Sequence, residues 1–419
     1  MNNTVRHSGV WTAGLIVGNL IGAGILALPV SLGLCGMIPS LFLMILYGAL
    51  MFFSAEILTR EAIERKNSFF DLPSLYGTYL GRWGKWAGII TNTIILYGLL
   101  TAYISGGAQI IADLTGLQGS KPLIALTVAA VLSSLSLLDL SLIHKYNAVL
   151  VGGLLCAFIA LLFLSFPALE FSRLAETHWS YAPLAIPLVV TACHFHNIIP
   201  VLCKDLHWDL HAMRKAVFCG LLTAMLMNLL WTLCGIGTLP RHGNNSLVLA
   251  YLSDLPATVP MGNILRSRFF TVIAAVFSLT AIATSFIATV VGLLNFLKDL
   301  FANSCRKSFR HRATLIKLLV FVPPLTIALI KPEIFIRALD VAGGIGIVTL
   351  FGILPCLIAV FKKGNSRKFR MAGIFFLLLA LLAFGSACLT VAGIKPDLSP
   401  ECQECHGNHK YTIKTGNEI

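Results

Sequence analysis

The sequence predicts an all-α polytopic membrane protein with eleven transmembrane helices, and three observations lead to this prediction. Of its 419 residues, 57% are hydrophobic and only 12% are charged, whereas about a quarter of the residues in an average soluble chain are charged. The apolar residues fall in runs of about 20, the length that crosses the hydrocarbon core of a bilayer. The first and sixth runs are each interrupted by polar residues or glycines and a proline, which a simple anchor does not need.

The predicted helices form one transmembrane domain that takes in the whole chain, residues 1–419. The eleven predicted spans cover residues 10–33, 36–58, 86–112, 122–142, 147–167, 184–203, 216–238, 270–297, 314–330, 334–361 and 371–394. The N-terminal run has a short basic head and no small-residue cleavage site after it, so we interpret it as a retained first span and not as a signal peptide.

The charge pattern predicts how the chain lies in the membrane. A net charge of +13 would suggest nucleic-acid binding in a soluble protein, but here the basic residues cluster between apolar runs and nucleic acid is not an expected partner. With the N-terminus in the cytoplasm, 21 of the 31 Lys and Arg residues lie on the inner side. Such a bias sets membrane orientation. The expected arrangement is N-terminus inside and C-terminus outside.

The first span contains the most unusual stretch of the chain, GNLIGAGILALPV at residues 18–30. Each glycine lowers helix propensity by roughly 1 kcal/mol relative to alanine, and Pro29 removes a backbone donor. Backbone that leaves a helix at membrane depth must line a cavity or bind a ligand, because lipid cannot satisfy it. We therefore expect a discontinuous helix, whose free N–H groups can bind an anionic group and whose carbonyls can bind a cation.

The sixth span repeats this pattern, with Thr191, His194, His196 and Asn197 at mid-depth before Pro200. Two interrupted spans that lie five spans apart have opposite orientation, which indicates an inverted repeat with a site at the membrane midplane. The predicted repeats are residues 10–167 and 184–361, followed by an extra helix at 371–394 and a polar tail at 395–419. Intramembrane histidines indicate a functional site, although a neutral imidazole can also simply bond a neighbouring helix.

Three other spans contribute candidate residues. Tyr103 in the third span can line a pocket, and Gly106 can either do the same or allow close helix packing. In the eighth span, Thr280 and Thr284 share a helix face. With Ser285 they can either bond back to their own helix or complete a cation site beside the first span.

The tenth span carries Arg337 and Asp340, which are three residues apart and able to pair. This pair is either an internal ion pair near the headgroups or an outer gate that closes over a substrate. The glycines that follow at 343, 344 and 346 allow the helix to bend.

The cysteines do not form a disulfide framework, because most are scattered inside apolar runs, where they act as small hydrophobes. The tail contains Cys402, Cys405 and His406 in the spacing of a c-type haem attachment motif. No folded domain is available to enclose a haem, so we expect no cofactor and no metal site, and we assign the tail no role.

With these residues in view, the chain resembles the hydroxy and aromatic amino acid permeases. The stretch Gly18–Pro29 resembles the first-span signature of that family. The fragments Ala102–Gly107, Phe195–Pro200 and Thr280–Phe286 are similar to the third, sixth and eighth spans of bacterial tyrosine- and tryptophan-specific permeases. Asn19 departs from the pattern, because the family usually has a hydroxyl residue there.

The resemblance implies the fold of the amino acid–polyamine–cation superfamily, which is the leucine-transporter architecture of two inverted five-helix repeats plus one extra helix. It also implies proton-driven import of an aromatic amino acid, tyrosine first and tryptophan next, across the bacterial inner membrane. Sodium is the alternative coupling ion, and serine, threonine or a branched-chain amino acid is the alternative cargo. The expected partners are this amino acid and membrane lipid, and the oligomeric state is left open.

A substrate hypothesis follows for the named residues. The amino acid carboxylate would accept N–H bonds at Gly22, Ala23 and Gly24, where the dipole of the outer half-helix favours a negative group. The ammonium would meet carbonyls near Asn19 and Leu20 and near Cys193 and His194. The aromatic ring would lie between Tyr103 or Gly106 and Phe195, with Asn197 in the same site. His196 would be the protonation-linked residue, since histidine titrates in the working range.

Two other classes of protein are less consistent with the sequence. A membrane enzyme needs a nucleophile with its base or a set of metal ligands, and His194 and His196 would face different sides of a regular helix. A channel would explain polar breaks but not two inverted copies of them.

Overall fold

The computed structural model of the protein describes residues 2–65, 71–136, 140–301 and 309–394. In these ranges the chain is helical, and its only β-structure is an isolated bridge between Gly36 and Thr177. The predicted tail at 395–419, with its cysteine–histidine motif, lies outside the described residues.

The helices follow one another with short connections. They are α1 (Asn2–Leu20), α2 (Gly24–Gly33), α3 (Met37–Glu64), α4 (Leu72–Thr115), α5 (Lys121–Ser136), α6 (Leu140–Ser165), α7 (Phe171–Ala175), α8 (Ala182–Ala192), α9 (Ile199–Asp205), α10 (Leu210–Thr238), α11 (Leu247–Leu252), α12 (Thr258–Leu265), α13 (Arg268–Leu300), α14 (Phe309–Ile330), α15 (Phe335–Val341), a π-helix (Ala342–Ile353), α16 (Leu354–Phe361) and α17 (Arg367–Val391).

The described helices make this a multi-pass membrane protein. Seven segments are long and apolar enough to cross a bilayer, or eight when α1 and α2 count as one bent span. Three shorter apolar helices, Lys121–Ser136, Gly152–Ala168 and Thr314–Ile330, occupy the positions of the fourth, fifth and ninth predicted spans.

The first span is interrupted at residues 21–23. Helix α1 ends at Leu20, α2 begins at Gly24, and their axes differ by 61°. The sixth span is also interrupted: α8 ends at Ala192 and α9 begins at Ile199, with a single 3₁₀ turn, His196–Ile198, between them. The two interruptions lie side by side, because α2 packs against α8.

The tenth span contains twelve consecutive residues in π-helical geometry, Ala342–Ile353. Such geometry is rare and usually confined to a single turn, often at functional sites. This π-helix packs against α4, α8 and α17. Gly343 allows the close approach to α8, since a Cβ atom there would overlap the Thr191 hydroxyl and the Pro187 carbonyl.

The first part of α4, before the third span, carries both exposed and buried side chains. α4 has a break in its helical geometry at Gly81 (φ 65°), so its first part, beginning at Leu72, runs in a different direction from the rest. Trp83 and Trp86 are exposed, as expected of interfacial anchors. Tyr76 is fully buried, and its hydroxyl donates to the Leu350 carbonyl at 2.5 Å.

The π-helix contact yields a stability prediction. Gly343→Ala is expected to lower the melting temperature of the detergent-solubilised protein, because overpacking a tight contact costs about 1–3 kcal/mol. Gly385→Ala is the control, since a Cβ there meets nothing within 4 Å. Equal melting temperatures for the two variants would show that the α8 contact is not tight.

Candidate functional site

The interruption of the first span leaves backbone groups free. Within the described residues, no backbone carbonyl accepts a hydrogen bond from the N–H groups of Gly22, Ala23 and Gly24, whereas Ile25 already donates to Gly22 at 3.2 Å. These N–H groups lie at the N-terminal end of α2, which is ten residues long. Free N–H groups at a helix N-terminus form a favourable position for an anion.

Gly22 brings the first span against the eighth. A Cβ at Gly22 would lie 2.7 Å from the Ser285 hydroxyl, so any larger residue at this position would have to displace that hydroxyl. The hydroxyl of the buried Tyr103 lies within interaction range of both Ser285 and Thr289. Tyr103 and Ser285 were both expected from the sequence, and Thr289 is an addition that the structure makes. The three hydroxyls therefore lie beside the break of the first span.

The other predicted hydroxyl of the eighth span has an internal partner. Thr284 donates back to the carbonyls of Thr280 and Ala281 at 3.0 and 3.1 Å, which is the usual behaviour of threonine in a membrane helix. Thr280, one helical turn before Thr284, and Ser285, the residue after it, are both half-buried.

The interruption of the sixth span lies next to the interruption of the first span. A Cβ built at Gly24 would lie in van der Waals contact with the sixth span, 3.9 Å from both the Cα of Ala192 and the methyl group of Thr191. Cys193 and Phe195 are buried, while Asn197 is exposed. Within the described part of the chain, the N–H groups of Phe195 and His196 also have no backbone acceptor. Both breaks therefore present free peptide groups to the same region.

The two histidines of this break lie side by side. Their rings are nearly parallel, 9° apart, with centroids separated by 6.2 Å. The expectation that they face different sides applies to a regular helix, and it does not apply here because the helix is interrupted between Ala192 and Ile199. His196 is 1% exposed and its Nε2 lies 3.1 Å from the Met51 carbonyl.

Gly106 has a packing contact in this conformation. A Cβ at Gly106 would lie 2.7 Å from the Phe335 ring, so the ring covers this surface and α4 lies close to α15. This contact agrees with the packing interpretation of Gly106.

A cluster of charged residues lies at one end of the tenth span. Arg337 Nε forms an ion pair with Asp254 Oδ2 at 3.0 Å, and Asp254 Oδ1 accepts the Arg337 N–H at 3.0 Å. Sequence reasoning selected Asp340 as the partner of Arg337 and missed Asp254, which comes from a connection 83 residues away. Asp340 is buried in the same cluster. Burial, together with the charges of Asp340 and Asp254, raises the pKa of Tyr251.

A second network lies at the opposite end of the tenth span. Lys362 contacts Glu61 at 2.8 Å and Glu64 at 2.6 Å, and Glu61 also accepts from the Tyr79 hydroxyl at 2.9 Å. Burial of the Lys362 ammonium opposes its charge, but the bonds to Glu61 and Glu64 outweigh burial and raise its pKa. The stability that comes from the raised pKa of Lys362 is therefore fully present below the ordinary pKa of lysine, and it is lost as pH rises through the raised value.

Comparison with known proteins covers nearly the whole chain. The model of the tryptophan/tyrosine permease family matches residues 5–392. The chain is 32% identical over 340 residues to the tyrosine-specific transport system 1 of Haemophilus influenzae, covering 78% of this chain and 82% of that protein. It is 26% identical over 413 residues to the low affinity tryptophan permease of Escherichia coli K12, covering 91% and 94%.

Among solved structures, the chain is similar in fold to the manganese transporter of Eremococcus coleocola. The crystal structure of that protein in complex with an aromatic bis-isothiourea compound has a TM-score of 0.60 and 15% identity, covering 94% of this chain and 89% of that one. The E129A mutant has a TM-score of 0.62 and 15% identity, covering 93% and 87%. At this identity the likeness concerns the fold alone.

Removing either partner of the Arg337–Asp254 pair should destabilise the protein, but by different amounts. Arg337→Met leaves a carboxylate that is 2% exposed without this cation, whereas Asp254→Asn leaves a guanidinium that is 55% exposed and can be hydrated. We expect Arg337→Met to destabilise the protein by roughly 3 kcal/mol and Asp254→Asn by about 1 kcal/mol, measured as melting temperatures. The double variant should be more stable than Arg337→Met alone. Equal losses from the two single variants would contradict this account.

Proposed function

This chain belongs to the tryptophan/tyrosine permease family, and from that premise we propose that it imports an aromatic amino acid, tyrosine first and tryptophan next, together with a proton. It is a permease of the membrane and not an enzyme. The observation that supports this function best is the pair of helix interruptions, at residues 21–23 and 193–198, which lie against each other in the bundle.

The free backbone groups at these interruptions are suited to bind the α-carboxylate and α-ammonium groups that all amino acid substrates share. The carboxylate accepts hydrogen bonds from the free N–H groups of Gly22, Ala23 and Gly24, where the dipole of α2 favours a negative charge. The ammonium is held by carbonyls at Asn19 and Leu20, where α1 ends. The carbonyls of Cys193 and His194 approach the ammonium from the other break.

The aromatic ring of the substrate occupies the space between the third and sixth spans. Tyr103 and Phe195 are both buried side chains, and in this proposal they provide the apolar surface that most small-molecule sites have. Asn197, at the end of the break next to α9, provides a polar group.

Transport follows by alternating access, in which the repeats 10–167 and 184–361 rock against each other around the site. In this proposal eleven spans, with 371–394 as the extra helix, put the two termini on opposite sides of the membrane. The bias of basic residues puts the N-terminus in the cytoplasm and the C-terminus outside. In this orientation the Arg337–Asp254–Asp340 cluster closes the outer side. The Glu61–Glu64–Lys362 network closes the inner side.

The coupling proton is carried by His196. Its Nε2 faces the Met51 carbonyl, and a carbonyl only accepts, so Nε2 carries a hydrogen and Nδ1 is the nitrogen that takes the proton. Nδ1 is buried and has no hydrogen-bond partner among the described residues. A sodium ion is the alternative, because Tyr103, Ser285 and Thr289 supply the oxygen atoms that a hard cation prefers.

Uptake of labelled tyrosine into proteoliposomes tests the function and the site together. Wild-type protein should accumulate tyrosine when the outside is acidic, and a protonophore should abolish the accumulation. Gly22→Val should insert normally and lose at least about tenfold in uptake, because its side chain collides with Ser285.

Gly18→Val is the matched control, since a Cβ at Gly18 meets nothing within 4 Å. Undiminished uptake by Gly22→Val would count against the site. Accumulation driven by a sodium gradient and insensitive to the protonophore would replace proton coupling with sodium coupling.

His196→Gln tests the coupling residue separately. Glutamine places an amide near the position of Nε2 and can still donate to Met51, but it has no nitrogen that takes a proton. The variant should therefore exchange external for internal tyrosine while failing to accumulate it against a gradient. Uphill transport at the wild-type level would exclude His196 as the proton carrier.

A further inference from the structure

The break of the sixth span is surrounded by an aromatic cluster, which we define as His194, Phe195, His196 and Phe351. The Phe351 centroid lies 4.8 Å from the His194 ring and 4.9 Å from the His196 ring, and Phe195 lies 4.8 Å from His196. Phe351 belongs to the π-helix, and its own carbonyl accepts a hydrogen bond from Ser54. Three spans therefore hold this cluster in place.

The two histidines of the cluster have different surroundings. His196 is 1% exposed and oriented by the Met51 carbonyl. His194 is half-buried, so it is less completely enclosed than His196. Its Nε2 atom, however, is buried and has no hydrogen-bond partner among the described residues. A buried polar atom without a partner is unfavourable, and a ligand that supplies one recovers that loss.

His194 lies close to the proposed carboxylate site. The backbone N–H of His194 donates to the backbone carbonyl of Thr191 at 3.3 Å, and Thr191 together with Ala192 forms the surface on which Gly24 packs. The segment from Thr191 to His194 therefore joins the proposed carboxylate site at residues 22–24 to the aromatic cluster.

We propose that His194 Nε2 accepts a hydrogen bond from the ring of the substrate, from the O–H of a phenol or the N–H of an indole, and so discriminates against phenylalanine. This inference rests on the proposed function. Tyrosine and tryptophan each carry one donor on the ring, and phenylalanine carries none. A site built around a hydrogen bond rejects the analogue that lacks it, because the polar group of the site is then left unpaired.

The proposal is consistent with a proton on His196. The two ring centroids are 6.2 Å apart, and a positive charge on one imidazole disfavours a second positive charge at that distance. With His196 as the proton carrier, His194 stays neutral and keeps an acceptor for the substrate.

Competition against labelled tyrosine uptake by the full-length protein tests the proposal, with unlabelled tyrosine and phenylalanine as competitors. In the wild type, phenylalanine should compete at least about tenfold more weakly. His194→Leu should raise the KM for tyrosine with little change in maximal rate, and should bring the two competitors within about threefold. His194→Gln, which keeps an acceptor near the Nε2 position, should retain most of the preference.

Phe351→Leu is the packing control, because it loosens the cluster and leaves the acceptor in place; it should keep the preference. A preference unchanged in His194→Leu would show that His194 only packs. The wild-type comparison needs no variant: tyrosine uptake without discrimination against phenylalanine overturns this inference alone, whereas absence of any aromatic amino acid uptake overturns the proposed function.

Discussion

A bilayer offers no hydrogen bonds to peptide groups, and the rest of this structure depends on that constraint. Most of the described spans meet it with continuous helices. The first and sixth do not, and their breaks at residues 21–23 and 193–198 pack together inside the bundle. Peptide groups that have left their helices are thereby removed from lipid. They are also concentrated in the region where we propose that a charged substrate binds, so the breaks in the helices and the proposed binding site coincide.

Much of this was predictable from local sequence, because the causes are local. The glycines at positions 18, 22 and 24, and the polar residues before Pro200, weaken the helix where they occur. The long apolar runs defined most spans to within a few residues. The same reasoning selected Tyr103 and Ser285, since hydroxyl groups are conspicuous in apolar helices.

The remaining features were not predictable, because distant segments create them. Asp254 meets Arg337 only after the chain has folded, and Met51 orients His196 through a carbonyl that every residue possesses. The π-helix is similar: Gly343, Gly344 and Gly346 indicated a bend, but its twelve-residue extent depends on packing against three other helices. The parallel arrangement of His194 and His196 could not be seen either, because periodicity describes only regular helices.

The free N–H groups at the start of α2 belong to the main chain, so no side-chain substitution elsewhere removes them. In the proposed mode of binding, recognition is divided into a constant part, in which main-chain groups bind what every amino acid has in common, and a variable part made of side chains. Such a division lets one scaffold acquire a new cargo through a few changes around the variable part. On this proposal, transporters for different aromatic amino acids could diverge without any change in the main-chain groups that bind the carboxylate.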